Sequence, residues 1–153
     1  MPPHPFDRIP ELAGLATFAE AARVGYSVDD NVRRLLRFHW VERGLMATLI
    51  SHLPGEPVWE VKCALALHQW QSAEHVDALR ARIAEMRSPV PRLDVSPDDD
   101  LDDLLEEVGR SSNTAELLAG IYQVTYAALA AAYREHLTHT NPLVDQPTRR
   151  VRA

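Results

Sequence analysis

Apolar residues recur at spacings of three and four over residues 28–53 and again over 61–86, with the turn Leu53-Pro54-Gly55-Glu56 between the two runs. Such spacing places side chains on one face of a helix, so the stretch predicts two long helices folded into a hairpin. In the first, a heptad template selects Val28, Val32, Leu35, His39, Glu42, Met46, Leu49 and Leu53. In the second it selects Val61, Leu65, His68, Ser72, His75, Leu79, Arg82 and Met86. Each stripe is apolar at its ends and polar at its centre. Counting outward from Gly55 sets Glu42 roughly level with His68, His39 level with Gln71 and Ser72, and His75 about one turn further, near Leu35. A layer of polar groups is therefore expected to meet inside the hairpin.

The remaining pattern is also helical. Leu12, Leu15, Ala16, Ala19 and Ala22 form a stripe after Pro10 that predicts a modest helix over residues 10–24, closed by Gly25. Ser27 followed by Asp30 is a weak capping box at the start of the first long helix. Pro57 opens the second, which is expected to reach Arg87, with Arg80, Arg82, Glu85 and Arg87 as a solvated end. Residues 88–95 read as a crossover loop. Ser96-Pro97-Asp98-Asp99-Asp100 predicts a short helix with Ser96 as cap, ending at Gly109. Asn113 and Glu116 open a last helix over 114–138, with Tyr122, Tyr126, Leu129, Tyr133 and His136 on one face. His136 and His139 stand near its negative pole, an ordinary place for histidine. Phe38 and Trp40 leave the first stripe in different directions, so at least one packs on a third element. The expected organisation is an all-α, up-and-down four-helix bundle over residues 1–139 with one short extra helix, followed by an extended tail over 140–153.

Composition narrows the setting. The chain has 153 residues, 46% hydrophobic and 25% charged, as in a single soluble globular domain. A net charge of −6 argues against a general nucleic-acid binder. Lys62 is the only lysine, which reads as genomic bias toward arginine. Cys63 is the only cysteine, so no internal disulfide forms, the compartment is reducing and cytoplasmic, and Cys63 itself reads as a small inert core residue. The start, Met-Pro-Pro-His-Pro, lacks the features of a secretion signal. No apolar run is expected to reach bilayer length, so no membrane partner is expected.

The polar centre carries the candidate chemistry. A buried carboxylate must be paired, hydrogen-bonded or bound to a cation. His and Glu together are ordinary ligands for iron, manganese or zinc, so Glu42, His39, His68 and His75 are the candidate ligand set. Gln71 and Tyr126 are placed nearby, the latter as a redox or hydrogen-bonding group. Arg43, beside Glu42, is an alternative neutralising partner.

Two segments resemble the ferritin-like superfamily. They are the hairpin from Trp40-Val41-Glu42 to Ala73-Glu74-His75-Val76-Asp77-Ala78-Leu79-Arg80, and Thr140-Asn141-Pro142-Leu143-Val144-Asp145-Gln146-Pro147-Thr148. The resemblance implies a four-helix bundle whose di-metal centre takes a Glu from each of two helices and a Glu-x-x-His pair from each of two others. Glu42 matches the first-helix glutamate and His75 the second-helix histidine. Ser72 stands where that pair needs Glu, and the second Glu-x-x-His is absent. In the superfamily the second segment leads into a last ligand-bearing helix, whereas the sequence ends at Ala153. Missing ligands would then come from a partner subunit, or the member is truncated or degenerate. A mononuclear site of His39, His68 and His75 would instead resemble the DinB-like bundles. The functional expectations are an oxygen-dependent oxidoreductase holding iron or manganese, a non-catalytic helical module with a structural polar layer, and a half-bundle completed as a homodimer.

Overall fold

The computed structural model describes residues 24–140 together with Ala19. The helix expected over 10–24 and the tail after Thr140 fall almost wholly outside the described residues. Within them the secondary structure is helical throughout, with no strand. The all-α expectation holds.

Helix α1 (Val28–His52) is the element on which the others pack. Its start follows from local chemistry: the Ser27 hydroxyl accepts from Asp30 N–H (3.1 Å) and donates to the Asp30 carboxylate (2.6 Å). Its buried face is broad, running through Val32, Leu35, Phe38, Val41, Leu45 and Leu49. Leu45 takes the fully buried place that the heptad template assigned to Met46, and Val28 stays 50% exposed, because a straight helix drifts from a strict seven-residue repeat.

Helix α2 (Trp59–Met86) lies antiparallel to α1 over most of its length, so that Arg87 reaches Asp29 in an ion pair. The turn between them is pinned by Glu56. Its buried carboxylate accepts from Val58 N–H (2.9 Å) and from the Thr114 hydroxyl (2.8 Å). Arg82 is not solvated as expected: its side chain is 13% exposed and pairs with Glu85. Cys63 is exposed, not core, because it lies on the outward side of α2 with Trp59, Leu67 and Trp70.

Helix α3 (Asp99–Gly109) follows the crossover segment. Its cap is Asp98, whose carboxylate accepts from Asp100 N–H, two residues later than the Ser96 cap read from the pattern. Ser96 bonds instead to the backbone of Asp98, and so shapes the approach to the cap. Helix α4 runs from Thr114 to His139. Asn113 caps it, and the Glu116 carboxylate accepts from Ser112 N–H and hydroxyl (both 2.8 Å), which lowers its pKa.

Two close approaches set the packing of α3. A Cβ on Gly44 would lie 2.5 Å from a methyl of Leu105, and one on Gly120 would lie 3.1 Å from Val108. Gly44→Val is expected to push α3 off α1 and to cost ~1–3 kcal/mol as an overpacked contact, read as a lower urea midpoint. An unchanged midpoint would mean that Leu105 moves aside freely.

In α4 the span Ala119–Thr125 is wound as a π-helix, with the Thr125 hydroxyl donating to Gly120 O (2.9 Å). The inward residues Leu117, Ile121, Thr125, Leu129 and Tyr133 are spaced by four. An α-helix would carry such a row off the buried face, and the wider π turn keeps it there.

By length and composition, α4 is also apolar enough to cross a bilayer, with a mean hydropathy of 1.2 over its best window. This departs from the expectation that no run reaches that length.

Candidate functional site

Glu42 sits at the middle of α1 with 1% of its surface exposed. His75 of α2 donates from Nδ1 to Glu42 Oε1 at 3.0 Å, and its side chain is 29% exposed. The count from the turn paired Glu42 with His68 instead. Side chains on a helix lean toward its N-terminus. In an antiparallel pair Glu42 therefore leans away from the turn and His75 leans toward it, and the two meet across a nominal offset.

The other members of the expected layer find different partners. Ser72, fully buried, bonds with the Tyr126 hydroxyl at 3.0 Å. His68 Nδ1 and the Tyr122 hydroxyl lie 2.5 Å apart. The rings of Tyr122 and Tyr126 stack at 5.7 Å, and His68 meets both edge-on. Deeper along α4, Tyr133 is tilted against Phe38 at 4.4 Å, and Phe38 also meets the buried His136 edge-on. Phe38 and Trp40 thus both serve third elements: Trp40 Nε1–H donates to Asp102 of α3 at 2.6 Å. His136 stands in the last turn of α4, as expected, and is fully buried there, stacked near Tyr26.

Two of the tyrosines feel Glu42. Tyr126 is pushed up to about 12, first by burial, against the bond from Ser72 and with the charge of Glu42 adding to the rise. Tyr133 is raised further by burial and then by the same carboxylate. Its hydroxyl and Glu42 Oε2 nevertheless fall short of hydrogen-bond geometry, and neither atom has a hydrogen-bond partner among the described residues. Burial alone raises Tyr122.

Four expectations for the site change. His39 does not join Glu42. It is 4% exposed and lines a cleft under the crossover segment, because its place on α1 turns it toward Leu93 and Val95. Burial first, then Arg43 and Arg80, hold its pKa below the usual histidine value. Gln71 is exposed and lies outside the layer. Arg43 does not neutralise Glu42; it donates to Leu93 O at 3.2 Å and lies over the Trp40 ring. The set Glu42, His39, His68 and His75 is therefore split among separate partners. Among the described residues no three His, Cys, Asp or Glu side chains converge as metal ligands. Only Glu42 and His75 of the expected four stand together.

Tyr122 joins Tyr126 in the layer through His68, and Tyr133 lies deeper on the same face of α4. Their spacing with Tyr126 on one face of α4 was the available signal. What it lacked was any indication that this face meets His68 and Ser72.

No family model matches the chain, and neither a curated protein nor a solved structure matches it.

Proposed function

We propose that this chain is a non-catalytic helical module on a ferritin-like plan, whose buried polar layer sets the register of its helices. One observation carries the reading: Glu42–His75, Ser72–Tyr126 and His68–Tyr122 each link two different helices. Sliding α2 by one turn would separate all of them, and an unpaired buried polar group is costly. A uniform apolar seam would impose no such penalty. Polar groups in a helical seam are known to specify pairing in this way.

A second reading is favoured by Glu42 Oε2, which is buried without a hydrogen-bond partner among the described residues. Iron or manganese bound there would take Glu42 and His75 as ligands, with oxygen as co-substrate of an oxidoreductase. The described residues supply only that pair, so the remaining ligands would come from elsewhere, including a second copy of the chain in a homodimer. The outward row Trp59, Leu67 and Trp70, each more than half exposed, is consistent with such pairing.

Elemental analysis of protein purified without chelator, run beside sedimentation and the double variant His68→Leu/Tyr122→Phe, separates the readings. The register reading expects metal-free protein, and a double variant that loses its single set of dispersed amide resonances while keeping its helix content. Stoichiometric iron or manganese that disappears in His75→Ala would establish the second reading. A double variant with spectra as sharp as wild type would end the first.

A further inference from the structure

Between α1 and the crossover segment lies a cleft of about 360 Å³, walled by Leu36, Trp40, Leu93, Val95 and Pro97, with His39 at its side. That volume is at the small end of ligand-sized pockets. It is roughly twice that of a cavity that holds one benzene ring. The walls are tied in place. Trp40 is fixed by Asp102 through its indole N–H, and Arg43 reaches across to donate to Leu93 O. Arg37 pairs with Asp98 just beyond Pro97. Val95, 48% exposed, stands at the mouth.

The other polar side chains that line this cleft are engaged. Arg92 is held by Asp94 at 3.0 and 3.2 Å. The Ser96 hydroxyl donates to Asp98 O and accepts from Asp98 N–H. The Trp40 N–H is taken by Asp102. His39 is the exception. It is 4% exposed, lines the cleft and enters no hydrogen bond among the described residues. A neutral imidazole carries one N–H donor and one acceptor nitrogen, and leaving both unused inside a protein is costly. Its place in the helical stripes does not account for it. Glu42, His68, Ser72 and His75 of the same stripes each bond across to another helix.

The chemistry of a ligand follows from these walls. It would meet apolar side chains, an indole and one unused hydrogen-bonding ring, with no free charge to answer a charge of its own. Burying an ion against such walls is costly. An aromatic body with a single hydroxyl satisfies each surface, since the ring is apolar and the O–H both donates and accepts.

We propose that this cleft binds a small uncharged phenol of one or two fused rings, its hydroxyl bonded to the His39 ring and its body lying among Trp40, Leu93 and Val95. The site is separate from the Glu42 layer and does not depend on that layer's role.

Titration of the full chain with β-naphthol at neutral pH tests this, followed by calorimetry and by the indole N–H resonances of the three tryptophans. Binding is expected to saturate with a Kd below about 1 mM, roughly tenfold tighter than that of the anion β-naphthoate. The Trp40 resonance should move, while those of the exposed Trp59 and Trp70 stay in place. His39→Leu is expected to weaken β-naphthol about tenfold, through loss of one hydrogen bond to a buried group. Val95→Trp fills the mouth and is expected to abolish binding. Val95 is on an exposed segment, so this variant keeps the test sharp if that of His39 fails to fold. A Kd weaker than about 1 mM overturns the proposal, as does β-naphthoate binding as tightly as β-naphthol. So do shifts at Trp59 or Trp70 in place of Trp40, and binding that is unchanged in either variant.

Discussion

Glu42→Ala is expected to lower folding stability by about 2–4 kcal/mol, measured by urea unfolding at neutral pH. Two losses add. The truncation leaves a void beside Leu45, in a core where Leu35, Leu45 and Leu49 have no exposed surface. It also leaves the His75 N–H without its acceptor. Because the His75 side chain is 29% exposed, it can turn toward water, which holds the loss toward the lower end of that range. Glu42→Gln keeps the shape and an acceptor, and is expected to cost no more than about 1.5 kcal/mol. If Oε2 is instead one arm of a cation cradle, the metal-free carboxylate is a liability. Glu42→Ala would then raise the stability of metal-free protein. The sign of a single measurement thus separates a structural carboxylate from a ligand.

Alkali is expected to unfold the protein through its buried phenols. Tyr126 is raised from 10.0 to about 12, and Tyr133 is raised further. In both cases the folded state holds the proton more tightly than the unfolded chain does. Their contribution is therefore fully present below pH 10.0, the ordinary tyrosine value, and is lost as pH climbs through the folded values. Within that window each phenol that stays protonated only in the folded state removes up to ~1.4 kcal/mol per pH unit. Tyr126, partly open to water, should contribute less than Tyr133, which is 4% exposed. Stability measured against pH should be level to about pH 9 and then fall with a slope that Tyr133→Phe reduces. Phenolate absorbance should rise for the most buried rings only as the helices unfold. A smooth titration of every tyrosine in a chain that stays folded would show that these hydroxyls reach water.

How much of this was readable in one dimension depended on the range of the interaction. The hairpin was legible because its signals are local: Ser27 with Asp30, the break at Pro54-Gly55, and apolar spacing on both sides. The caps at Ser27 and Asn113 involve residues three apart, so the chain itself carries them. The shift from Ser96 to Asp98 shows where such reading blurs, since several neighbouring residues there can cap equally well. The π turn left a trace in the four-residue spacing of Leu117, Ile121, Thr125, Leu129 and Tyr133, which a period of 3.6 does not sustain.

Partner choice within the site was a different matter. Periodicity shows that His39, Glu42, His68, Ser72 and His75 lie near the inner side of two helices, and that Tyr122, Tyr126 and Tyr133 share a side of a third. It does not show how far each helix turns about its axis or how each side chain leans. The rotation of α1 about its own axis sends His39 under the crossover segment and leaves Glu42 with His75. The same freedom gives Ser72 and His68 to the tyrosines of α4 and leaves Cys63 facing outward. Helix content and helix ends are thus properties of short stretches of chain, because hydrogen bonds there span three to five residues. Which polar atoms touch is decided only when whole helices pack, because that packing sets rotation and height together.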